Sequence, residues 1–93
     1  MVLSKNFELI DIAGENLAVP VGSLAESYKA VIALSEASFF LLSQLKQPKT
    51  TDELIELLTR EFDVSREQAS ADVQSAVVKY TELGLISNED QAV

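Results

Sequence analysis

The chain contains no cysteine and no histidine. Without cysteine there is no disulfide scaffold, no thiol nucleophile and no zinc-thiolate cluster. Without histidine the commonest general base and the commonest metal ligand are both missing, along with every Cys-His or Ser-His arrangement. A carboxylate-only site is what remains to an enzyme. Asp52, Glu53, Glu56, Glu61 and Asp63 lack the spacing of a calcium loop, however, and read as helix-end and surface charge. An independent enzyme therefore ranks last, and no catalytic residue, cofactor or metal is expected. Long apolar runs are missing too: nowhere do about eighteen apolar residues follow one another, and residues 1–6 show no basic flank leading into an apolar stretch. The expectation is a chain that neither enters nor crosses a membrane, with the cytoplasm as its compartment.

Positive charge is scarce. Seven Lys and Arg face fifteen Asp and Glu, a net charge of −8. Nucleic-acid binding draws its affinity from neutralising phosphates, so an acidic surface repels the duplex. Lys5, Lys29, Lys46, Lys49, Arg60, Arg66 and Lys79 are scattered and form no stripe. What the chain does have, over 93 residues, is the apolar fraction of an ordinary globular protein, enough for one domain that buries roughly 60–65% of its unfolded surface. No internal repeat or linker is visible.

The text falls into two zones. Residues 7–34 hold three β-branched, apolar stretches: Phe7-Glu8-Leu9-Ile10-Asp11-Ile12, then Leu17-Ala18-Val19-Pro20-Val21, then Ala30-Val31-Ile32-Ala33-Leu34. Three short strands fit. Ala13-Gly14-Glu15-Asn16 is a link of hairpin length, which makes the first pair antiparallel. Pro20 offers no N–H and belongs at an edge or a gap of the ladder. Gly22-Ser23-Leu24-Ala25-Glu26-Ser27 reads as a loop crossing to the third strand.

From Ser35 onward the period is helical, and each helix opens on a capping residue. Ser35 caps a helix through Phe39, Phe40, Leu41, Leu42 and Leu45 that stops before Pro48. Thr50 with Glu53 and Ser65 with Gln68 read as capping boxes. The second helix shows Leu54, Ile55, Leu57, Leu58 and Phe62 as an apolar stripe. The third aligns Ala69, Val73, Ala76, Val77, Tyr80 and Leu83 on one face, leaving Val78 opposite. Gly84 supplies the left-handed stop, Leu85 and Ile86 fold back, and the tail after Asn88 frays. Strands first and helices afterwards give an α+β order: a three-stranded antiparallel sheet followed by three helices.

Gly14-Glu15-Asn16-Leu17-Ala18-Val19-Pro20-Val21-Gly22 resembles the hairpin of PqqD-like proteins. Ile32-Ala33-Leu34-Ser35-Glu36-Ala37-Ser38 resembles their strand-to-helix junction. Thr51-Asp52-Glu53-Leu54, Phe62-Asp63-Val64-Ser65, Asp72-Val73 and the closing Leu83-Gly84-Leu85-Ile86 extend the similarity over about residues 7–86. Where such proteins often carry Asn and then Thr-Gly at the junction, this chain has Ser35 and Ala37-Ser38; where an aromatic or Leu is common, it has Ala76 and Tyr80. The resemblance implies a single winged-helix-like domain acting as a peptide chaperone, or RiPP recognition element. Such modules hold the leader of a ribosomally made precursor peptide and deliver its core to a modifying enzyme, frequently a radical SAM maturase. In them the leader lies as an added strand on the third strand, beside the third helix. Carried over, the edge is Lys29, Ala30, Val31, Ile32, Ala33 and Leu34, and the wall is Asp72, Ser75, Ala76, Lys79 and Tyr80.

Plainer roles stand beside these. Val31, Ile32 and Ala33 fit a strand covered on both faces. Tyr80 fits a core aromatic with its hydroxyl at the rim. Asp72 and Lys79 fit solvated helix positions, and Phe39 and Phe40 fit the core. Two other classes compete: a winged-helix DNA reader, which needs basic residues on its recognition helix, and an acidic acyl carrier with Ser23 as attachment point, which is a helix bundle and does not open with strands. An unpaired strand edge also permits pairing between two copies of the chain.

Overall fold

The computed structural model describes residues 1–27 and 30–88. Along the chain come β1 (Val2–Leu3), β2 (Phe7–Ile12), β3 (Glu15–Pro20), α1 (Leu24–Ser27), β4 (Ile32–Leu34), α2 (Glu36–Gln44), α3 (Thr51–Phe62), α4 (Arg66–Glu82) and β5 (Ile86–Ser87). The fold is α+β, with a three-stranded antiparallel sheet in the order β2-β3-β4 packed beneath the helices. Three features depart from the expected plan. A one-turn helix, α1, interrupts what reads as a loop, a second small sheet joins β1 to β5, and the helices number four among the described residues.

The hairpin is tighter than its sequence suggests. β2 and β3 pair from Phe7↔Pro20 to Ile12↔Glu15, so Glu15 and Asn16 already belong to the strand and only Ala13 and Gly14 turn. Both have positive φ, 52° and 84°, the conformation of a type I′ turn, whose twist matches that of the flanking strands. β4, in turn, is shorter than expected. It pairs with β3 only over Asn16↔Leu34, Leu17↔Ala33 and Ala18↔Ile32. Pro20 supplies the reason. In an antiparallel ladder successive residues bond to opposite sides. The Val21 amide donates to the Asn6 carbonyl at 2.9 Å, so by alternation Leu17 and Val19 also bond toward β2, while Asn16, Ala18 and Pro20 face β4. Pro20 has no N–H to give, and the pairing ends at Ala18. The proline thus sits at a gap on the central strand.

The helix starts follow their caps. The Ser38 amide donates to Ser35 Oγ at 3.1 Å. Thr50 and Glu53 form the full reciprocal box, with the Glu53 amide donating to Thr50 Oγ1 at 3.2 Å and the Thr50 amide to Glu53 Oε1 at 2.8 Å. Ser65 completes only half of one. It accepts from the Gln68 amide, but the Gln68 side chain donates instead to the Asp72 carboxylate, one turn along, at 2.9 Å. A charged acceptor makes the stronger bond. α4 ends in a Schellman motif: Gly84 takes φ 86°, its amide donates to the Thr81 carbonyl, and the Leu85 amide donates to the Tyr80 carbonyl.

The core gathers around Leu42, Leu45, Leu54, Leu58, Val73 and Leu85, all but fully buried. Tyr80 is buried with them and Val78 is 60% exposed, as the helical period requires. Leu83, the C-cap of α4, departs from its expected place on the core face and is 40% exposed. The N-terminal segment is held firmly. Met1 is buried; its ammonium donates to the Lys49 carbonyl, the Lys49 amide donates back to the Met1 carbonyl, and the Leu3 amide donates to the Leu45 carbonyl at 2.7 Å. The core therefore includes Met1, and Ser87 belongs to β5; residues 89–93 of the expected tail lie outside the described residues.

Two backbone sites give opposite outcomes in thermal or urea unfolding. Ala13→Asn, which favours positive φ, raises stability by about 0.5–1 kcal/mol. Gly84→Ala lowers it by about 1–2 kcal/mol; an added Cβ there meets only Phe7 Cε2 at 4.0 Å, so the cost lies in the backbone and not in a clash. Thr50→Ala costs about 1 kcal/mol. The backbone hydrogen bond from Thr50, helped by its side chain, holds the Glu53 carboxyl below the usual carboxylate range. A depressed folded-state pKa gives stability that is present above the unfolded value and lost as pH falls through the folded one. The stability difference between the parent chain and Glu53→Gln therefore shrinks to nothing in acid.

Candidate functional site

The alternation that ends β4 at Pro20 also decides which groups β4 leaves open. Asn16 and Ala18 face β4, so Leu34 and Ile32 spend their main-chain groups on β3. Val31 and Ala33 direct theirs to the other side, where no strand of the described residues lies. Their side chains are exposed, Val31 by 52%, while Leu34 is buried and Ile32 half-buried against the core. β4 thus keeps one edge paired and offers the other.

Beside this region, α2 and α4 enclose a groove of about 350 Å³. Its wall on α4 consists of Asp72, Ser75, Ala76, Lys79 and Tyr80. Spacings of three, four and seven put these on one flank of the helix, next to the buried stripe of Ala69, Val73 and Tyr80. The wall opposite consists of Ser35, Ala37, Ser38 and Leu41. The groove exists because the facing residues are small: Ala37 and Ser38 on one helix, Ser75 and Ala76 on the other. Leu41 and Tyr80 supply large apolar surface at its base, both being buried. Lys79 Nζ lies 5.5 Å from the Tyr80 ring centroid, a cation–π contact that keeps its stem along the wall. Asp72 is held by Gln68. One charge of each sign therefore borders a pocket whose other polar side chains are Ser35, Ser38, Ser75 and the phenol of Tyr80.

All five wall residues expected from the sequence share this groove. The edge residues divide. Val31 and Ala33 have outward main chains, Ile32 and Leu34 contribute to the sheet and core, Ala30 is exposed and precedes the strand, and Lys29 lies outside the described residues. Sequence reasoning missed the α2 wall. The available signal was Ala37-Ser38 placed one turn before Leu41, small residues on a helix whose other apolar residues are Phe and Leu.

No helix of the described residues is long and apolar enough to cross a membrane. Among curated proteins, none matches the chain. Among solved structures, TbiB1 in complex with the TbiA(beta) leader peptide shares the fold, with a TM-score of 0.75 and 16% identity over 95% of this chain and 96% of that one. A family model described as coenzyme PQQ synthesis protein D (PqqD) matches residues 17–86, a span that takes in β3 from Leu17 onward, the open strand β4 and all three long helices. It leaves out β2 and the hairpin turn, which the expected resemblance included, and it ends at Ile86 as expected; the chain belongs to the PqqD family.

Proposed function

We propose that this chain is a non-catalytic peptide-binding module: it takes the leader of a ribosomally made precursor as an added strand on β4 and presents the precursor to a modifying enzyme. The observation that carries the reading is the outward main chain of Ala33, and of Val31 just before the strand, on a β4 that is paired on one side only, close to a groove built from small residues. Family membership supports it, as does the shared fold of TbiB1, a protein solved with a leader peptide. The modifying enzyme is of the radical SAM class, as the resemblance implies, and the setting is the cytoplasm.

Magnitudes decide how the work divides between edge and groove. Val31 and Ala33 provide four main-chain groups, and hydrogen bonds to them contribute roughly 0.5–1.5 kcal/mol each. Association and ordering cost about 4–15 kcal/mol. The edge alone cannot hold a peptide. Burying two apolar leader side chains adds about 1.5–3 kcal/mol each, and with every gain at its upper end and the cost at its lower end binding reaches about −8 kcal/mol, so capture is micromolar at its tightest. Main-chain bonds accept any sequence, so selection falls to the groove. With Ala76 in place of a larger residue, the groove selects a bulky apolar leader side chain, and Lys79 and Asp72 orient polar neighbours.

Titration of the isotope-labelled chain with a synthetic leader of the precursor encoded beside it shifts the amides of Val31, Ala33 and residues 72–80. Val31→Pro removes an outward donor while leaving the β3 pairing intact, and weakens capture by about threefold to tenfold. Ala76→Leu fills the groove and weakens capture on the order of tenfold to a hundredfold. Both variants keep the parent melting temperature within a few degrees. Unchanged spectra at near-millimolar peptide, or an Ala76→Leu chain that binds as well as the parent, would rule the reading out.

A further inference from the structure

α2 borders a second, larger groove on its other flank. It measures about 1190 Å³ and lies between the hairpin tip, Ala33 and Leu34 at the end of β4, α2 and the C-terminal end of α3. Its apolar floor includes Leu17, Phe39, Phe40 and Phe62, all half-buried, with Phe40 and Phe62 in edge-to-face contact at 5.6 Å between ring centroids. Its rim carries Asp11, Glu15, Glu36 and Glu61, all exposed. Among the described residues no Lys or Arg lines it. The nearest cation in sequence, Arg60, is engaged by Glu56 at 2.6 Å on the adjoining face of α3, and Lys79 lines the other groove.

The combination is selective. A solvated acidic face has no need of three half-exposed phenylalanines beneath it, and an apolar patch covered by a second copy of this chain would bring eight carboxylates of one sign together, two sets of the four just named, which opposes association. Carboxylates around an aromatic floor complement a segment that carries Lys or Arg beside large apolar side chains; arginine and lysine stems pack on aromatic faces while their charges reach the rim. We infer that this groove docks a cationic, apolar segment of a partner protein, at a site separated by α2 from the groove assigned to the leader.

The test uses the full chain, isotope-labelled, and two short synthetic probes: a peptide with lysines flanking a leucine–phenylalanine pair, and its counterpart with glutamate for lysine. The lysine probe is expected to give saturable shifts at the amides of Leu17, Phe39, Phe40 and Phe62, and the glutamate probe none. Glu15→Gln, Glu36→Gln and Glu61→Gln together weaken the lysine probe by about tenfold. Glu26→Gln, Glu67→Gln and Glu82→Gln together, with the same change of charge at exposed positions elsewhere, leave it within about twofold. Val31→Pro leaves it unchanged, so the inference stands or falls separately from leader binding. Equal weakening by both triple variants would reduce the effect to diffuse attraction and overturn the inference. So would shifts centred on Val31 and residues 72–80, or sedimentation showing a dimer whose formation broadens the groove amides without any probe.

Discussion

A single residue joins β4 to α2. Leu34 closes the strand, Glu36 opens the helix, and Ser35 between them is extended, with φ −70° and ψ 163°, while its hydroxyl accepts the Ser38 amide. With no loop to absorb movement, α2 goes where β4 goes. The helix is then fixed from below by Leu41, Leu42 and Leu45, all buried, and both of its flanks become walls. One faces α4 across small residues; the other faces the hairpin tip and α3 across aromatic ones. An event that shifted the strand would therefore change both grooves at once, since a packed helix moves as a body and does not bend.

How far the sequence discloses this depends on the range of the interaction. The caps at Ser35, Thr50 and Ser65 and the stop at Gly84 involve residues a few positions apart, and the structure has all four. Even the departure at Gln68 is local, a choice between two acceptors a turn apart. The β1–β5 pair was illegible for the opposite reason. Two residues at each end of the chain carry no periodicity, and what holds them is bonding to Leu45, Lys49 and Leu85, contacts made across most of the chain. The length of β4 is an intermediate case. Its five apolar residues promise five strand positions, yet Pro20, ten or more residues earlier, cancels the last bonds of the ladder.

The candidate site divides along the same line. The α4 wall of Asp72, Ser75, Ala76, Lys79 and Tyr80 was implied by the resemblance to PqqD-like proteins, and the helical period explains why those five share one flank. The α2 wall was not, because Ala37 and Ser38 become significant only when Ala76 and Ser75 stand opposite. A cleft is a property of facing pairs. Small residues read singly as weak core formers, and only a pair of them leaves room for a guest.

The two grooves differ in sign, and that difference has a kinetic and thermodynamic consequence. The smaller one is bordered by one acid and one base and is shaped by volume; among the described residues the charges bordering the larger are all acidic. On the proposed assignments, a leader and a partner protein do not compete for the same chemistry, and each can bind weakly. When one protein holds two components together, the second encounter becomes intramolecular, with an effective concentration that reaches the order of millimolar for short connections. Micromolar capture on the β4 edge is then enough to saturate an enzyme docked on the other flank of α2, while the leader still leaves quickly once its precursor has been modified. A chain of this size, with two opposed surfaces on one short helix, needs no tight site to bring two other molecules together; what it needs is that α2 stay in register with β4, which the Ser35 junction enforces.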